Sequence, residues 1–148
     1  MAKTTTTAVL GITVPDVNSP DYNANGSIGQ IVAALKALEA ALFGQTVYTA
    51  AGAIAAANGT AVLKAGSAAA MTLAAPAAGL PSAGGNDGEE LVIVAADAFA
   101  YTVTTPSNAI NGSKHVATWT AAIGNCIRLK ANNGVWLTDD TPQGVALT

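Results

Sequence analysis

From residue 45 onward, turn residues cut the chain into short runs in which apolar and polar side chains alternate. The runs are 46–49, 60–64, 70–74, 90–95, 100–104, 116–120, 125–130 and 134–138. Between them stand Asn58-Gly59, a Gly-rich stretch at 84–88, Asn111-Gly112 and Asn132-Asn133-Gly134, which are the turn signals of antiparallel hairpins. Side chains that alternate with period two line opposite faces of a strand. So many short strands in about 100 residues form a sandwich or a small barrel. The expected fold class is therefore mainly β: a compact antiparallel β-sandwich or barrel of short strands over residues 45–148. The best hairpin joins Cys126–Lys130 to Val135–Thr138 across Asn132-Asn133-Gly134. Leu91 to Ala95 is apolar without alternation, and this predicts a central strand buried on both faces. The Ala-rich stretches 50–57 and 65–78 are punctuated by Gly and Pro and are not long helices.

Upstream of this domain the chain has two further parts. Residues 1–26 carry Thr4 to Thr7, an apolar stretch from Val9 to Val14, Pro15, Pro20 and a tail rich in Asn, Asp and Ser. β-Branched residues and Pro disfavour helix there. Val9–Val14 is a candidate strand, and the segment reads as an extended arm too poor in large side chains to fold alone. Residues 27–44 read as one short helix with its stop. Ser27 and Gln30 have the spacing of a capping box, and Gly44 supplies the C-terminal stop. Ile28, Ile31, Leu35, Leu38 and Leu42 fall at steps of 3, 4, 3 and 4, which is a heptad seam rather than a broad face. Two arrangements satisfy that seam: packing on the chain's own β-domain, or a short parallel coiled coil around an oligomer axis. Ile at both a and d positions favours three strands over two. Two to three heptads are too short to hold an oligomer alone, so the β-domain must share the interface.

Composition points the same way. Charged residues are 10% of the chain, and Ala accounts for 34 of 148 residues, which leaves only about 28% for larger apolar side chains. An average soluble domain has about 25% charged residues. Such a chain builds a thin core and buries much of its surface against other protein. A net charge of −3 argues against nucleic acid as a partner. No apolar run reaches the length of a membrane-spanning helix, and residues 1–7 lack the basic and apolar regions of a signal peptide. The Asn-Gly-Ser/Thr triplets at Asn25, Asn58 and Asn111 are accordingly read as turns.

A search for chemistry finds no catalytic constellation. Cys126 and His115 are each the only residue of their kind, so one chain builds neither a disulfide nor a Cys/His zinc site. Cys126 reads as a small hydrophobe. Asp87, Glu89 and Glu90 lack the periodicity of a calcium loop and read as a solvated turn before a strand, as do Asp139 and Asp140. The stretch 84–88 is followed by neither the Lys-Ser/Thr pair nor the helix of a phosphate loop. Arg128 and Lys130 share one strand face and could form a small basic patch with Lys114. The aromatic residues Tyr48, Phe99, Tyr101, Trp119 and Trp136 lie in or beside strands and read as core or inter-chain packing. No enzyme, cofactor or metal site is expected.

The Thr- and Pro-bearing arm, the capped helix and the Ala/Gly/Thr-rich β-domain come in a telling order. The β-domain contains 65-AGSAAAMTLAAP-76, 86-NDGEELVIV-94, 101-YTVTT-105, 122-AIGNCIRL-129 and 133-NGVW-136. Over roughly residues 60–140 this resembles small virion proteins of tailed bacteriophages, of the head-decoration (cement) and head-fibre type. The resemblance implies a homotrimer made in the host bacterial cytoplasm, which sits on the virion's capsid surface and grips the major capsid protein, without nucleic acid, membrane or cofactor. The expected capsid contact lies on the arm at Val9, Leu10, Ile12 and Val14. The expected oligomer contact comprises Ile28, Ile31, Leu35, Leu38 and Leu42. A similar β-module occurs in phage tail-fibre proteins. The alternative is therefore a trimeric receptor-binding module that recognises a host-surface glycan, with an exposed aromatic groove around Trp119 or Trp136.

Overall fold

The computed structural model describes residues 4–6, 13–15, 31–33, 35, 44–55, 57–138 and 142–148. The chain divides into two units, Met1–Ala41 and Leu42–Thr148. In the first, β1 (Thr4–Thr6) pairs antiparallel with β2 (Thr13–Pro15), with Thr4 opposite Pro15. Residues 31–33 and 35 are helical. β2 overlaps the end of the strand expected over Val9–Val14, while Val9, Leu10, Ile12, Ile28, Leu38 and Leu42 lie outside the described residues.

The second unit is mainly β. It is built from β3 (Gln45–Tyr48), β4 (Gly52–Ile54), β5 (Gly59–Leu63), β6 (Ala69–Leu73), β7 (Glu90–Ala95), β8 (Tyr101–Thr104), β9 (Val116–Trp119), β10 (Cys126–Asn132), β11 (Val135–Leu137) and β12 (Val145–Leu147). These form two separate five-stranded sheets. Sheet I has the order β11-β10-β7-β5-β3 and sheet II the order β12-β9-β8-β6-β4. The core lies between them and draws Leu63, Leu91, Ile93, Ile127, Leu129 and Trp136 from sheet I. Sheet II contributes Ile54, Met71, Leu73, Tyr101, Val103 and Trp119. The fold is a sandwich, and no barrel closes.

The expectation of an antiparallel sheet is overturned over the first half of this unit. β3, β5 and β7 run parallel in sheet I, and β4, β6 and β8 run parallel in sheet II. Only the later pairs, β7–β10, β10–β11, β8–β9 and β9–β12, are antiparallel. The cause is the route of the chain. Parallel neighbours need a crossover, and here each crossover is a strand of the opposite sheet. The link from β3 to β4 is residues 49–51. Three extended residues span about 10 Å, which is the spacing of stacked sheets. The chain thus winds β3–β4, β5–β6, β7–β8 as three successive rungs of a coil, and antiparallel strands then finish both sheets.

This route explains the other differences. Asn58-Gly59 joins strands of opposite sheets rather than a hairpin. The Asn133-Gly134 turn does close the β10–β11 hairpin. Both residues have positive φ, +48° and +81°, as a type I′ turn requires. β4 lies inside the Ala-rich stretch read as low in complexity, and β12 was not anticipated. β7 is the middle strand of sheet I, yet it is buried on one face only. Leu91, Ile93 and Ala95 enter the core, whereas Val92 and Val94 on the outer face are half-buried.

Candidate interaction surfaces

The polar residues singled out in the sequence are dispersed, and those around the 84–88 stretch hold loops in place. The Asp87 carboxylate accepts the N–H of Gly79 at 3.0 Å and the N–H of Asn133, tying the 77–80 loop to the β10–β11 turn. Asn86 accepts from the Ala77 N–H at 2.7 Å and donates to Glu89 at 2.8 Å. Asp87 is therefore a half-buried staple rather than part of a solvated turn. Asn125 is buried and donates to the Thr120 carbonyl at 3.0 Å and the Thr120 hydroxyl at 2.7 Å. Asp139 and Asp140 lie outside the described residues. Among the described residues, no three His, Cys, Asp or Glu side chains gather where they could hold a metal ion. None of the described helical residues forms a span long and apolar enough to cross a membrane.

Cys126 and His115 are not brought together. Cys126 opens β10 opposite Val94, at the C-terminal end of β7. His115 lies just before Val116, which pairs with Thr104 at the far end of β8. The two residues thus occupy opposite ends of the sandwich. Cys126 is half-buried and faces outward, not buried in the core.

Trp119 and Trp136 are core residues, each 1% exposed. The Trp119 indole N–H donates to the Asn125 carbonyl at 3.1 Å, and that of Trp136 to the Ala74 carbonyl at 2.8 Å. Neither ring offers a stacking face to a sugar. An open cleft of about 590 Å³ lies at the ends of β4, β6 and β8, bordered by Ala53, Leu73, Thr104 and Pro106 among others, and no charged side chain lines it.

Arg128 and Lys130 do share the outer face of β10, and Glu90 on β7 lies 3.9 Å from each. They line a shallow groove of about 260 Å³ with Leu137 and Thr138. Lys114 sits instead in the β8–β9 connection, bridged to Ile110.

Two apolar surfaces stand out. Helical Ile31 and Leu35 are 56% and 51% exposed. They are the two described members of the expected seam. The second surface is the outer face of sheet I, where Val47, Val62, Val94 and Cys126 align in register across β3, β5, β7 and β10. The sequence reading missed this row. Its signal was the uninterrupted apolar run at 91–95, which reports a strand with apolar residues on both faces. No family model matches the chain, no curated protein matches its sequence and no solved structure matches its fold.

Proposed function

We propose that this chain is a structural virion protein: a homotrimeric head-decoration (cement) or head-fibre protein of the tailed-bacteriophage type. It binds the outer surface of the major capsid protein shell and stabilises it by bridging neighbouring subunits, with no catalytic role. The observation that carries this reading is the exposed seam. Ile31 and Leu35 are helical and more than half exposed, and they are spaced as d and a positions with Ile28, Leu38 and Leu42. An apolar stripe of that geometry is covered by like helices around an axis. The β-domain supports a structural role, because Asp87, Asp97, Asn86 and Asn125 are engaged in holding its own loops. The arm, with Val9, Leu10, Ile12 and Val14, supplies the capsid contact. Three copies on one trimer turn weak arm contacts into firm attachment through effective concentration.

The test mixes undecorated heads with the full chain and with a form lacking residues 2–22. The full chain co-sediments with heads and raises their resistance to heat. The shortened form keeps its oligomeric mass and stays in the supernatant. A full chain that leaves heads bare overturns the function. A shortened form that still decorates moves the capsid contact off the arm.

A further inference from the structure

The outer face of sheet I is built as a covered face. Its first row is Val47, Val62, Val94 and Cys126, and the next is Gln45, Thr60, Val92 and Arg128. Val47 is 47% exposed, Val92 and Val94 are half-buried, and Val62 is 8% exposed. A sheet face that meets water normally carries polar side chains, whereas an apolar run such as Leu91-Val-Ile-Val-Ala95 belongs to strands covered on both sides. The core covers only one side of β7.

We propose that the valine face of sheet I is covered by a second copy of this chain. The inference rests on the oligomeric reading above and adds the β-domain surface that the short seam requires. The size of the patch argues for a tethered copy. Four strands about 4.8 Å apart and two rows of side chains cover about 250 Å², whereas a free-standing partner needs about 800 Å² on each side. A copy already joined through the helix meets the face at high effective concentration. Charge argues the same way. Arg128 and Lys130 border the face with Glu90 between them, a rim of net charge +1 on a chain with nine carboxylates and six Lys and Arg. A second copy is therefore a net-acidic partner for that rim. The face meets a different surface of its neighbour, and head-to-tail contact of this kind closes into a ring under threefold symmetry.

Cys126, the only thiol of the chain, sits in the first row and reports the contact. The experiment measures solution mass by light scattering, and the rate of Cys126 alkylation by N-ethylmaleimide, for the full chain and for Val47→Asp. Val47 lies on an edge strand and is half exposed, so the fold tolerates the change. The expected result is an oligomer whose Cys126 reacts at least tenfold more slowly than in Val47→Asp. An oligomer in which both forms react at one rate overturns the assignment and leaves the oligomer standing. Protection that arises only when heads are added gives the face to the shell protein and also overturns it. A monomer at every concentration overturns the oligomeric reading and this inference with it.

Discussion

The Tyr101 hydroxyl donates to Oδ1 of Asp97 while accepting the N–H of Ala65 at 2.9 Å. The other oxygen of Asp97 accepts the Gly66 N–H at 2.9 Å. Residues 64–68 and 96–100 are the links that carry the chain from sheet I to sheet II in successive rungs. One buried phenol and one carboxylate thus fasten two crossovers at the same end of the sandwich.

Tyr101→Phe removes both bonds and leaves the Ala65 N–H without its acceptor. A buried donor left unpaired costs about 1–3 kcal/mol. Urea unfolding of the variant should show a loss in that range with an unchanged denaturant slope. A loss below the error of the measurement would mean that water replaces the phenol at no cost.

The same site sets a pH dependence. Burial, and then the hydrogen bond to Asp97, push the Tyr101 pKa above its ordinary value near 10. The folded state therefore holds this proton more tightly than the unfolded chain does. Its contribution is fully present below pH 10 and is lost as pH rises through the folded value. As pH rises above 10 the wild type should lose stability more steeply than Tyr101→Phe. Parallel curves would remove Tyr101 from the alkaline transition.

Gly85 is set by close approach of backbone. A Cβ at this position would lie 2.0 Å from the Gly79 carbonyl oxygen, and neither partner can swing aside as a side chain would. Gly85→Ala should destabilise the β-domain by about 3 kcal/mol, at the upper end of ordinary overpacking. Thermal unfolding reads this directly, and a variant as stable as wild type would show that the 77–88 loops shift freely.

Glu90 makes the opposite case. Its partners Arg128 and Lys130 stand at 3.9 Å with side chains 64% and 58% exposed. Exposed pairs of this kind are worth about 0–1 kcal/mol. Glu90→Gln should change stability by less than about 0.5 kcal/mol, with little dependence on salt. A larger loss would reveal a cooperative charge network on this face.

Replacing Leu35 and Leu38 together with Asp places charge in the proposed seam. Light scattering should show loss of the trimer, with the far-ultraviolet spectrum of the β-domain retained. A variant that keeps the mass of three chains would return the helix to packing on its own domain.

The strand positions were largely legible because each is a local pattern. The β10–β11 hairpin was read with its turn, since Asn133-Gly134 meets a local demand for positive φ. β7 was read to the residue from five apolar side chains. β4 escaped notice because Gly52-Ala-Ile54 offers almost no alternation, and only the core position of Ile54 marks it as a strand. Among the surfaces, the helical seam was visible as a period, whereas the valine row was not. Its members stand at residues 47, 62, 94 and 126, and only pairing brings them side by side.

By itself the sequence determined where most strands form, that residues 31–33 and 35 are helical, and that large side chains and charges are scarce. Each of these follows from neighbours within a few residues. The tertiary structure alone decided that the first three rungs run parallel, that Asp87 staples two loops, and that valines gather on an outer face. Those outcomes depend on pairs such as Gln45 with Thr60 and Gly59 with Leu91. Such pairs form because each link in this part of the chain leads to the opposite sheet, so that strands far apart in sequence become neighbours.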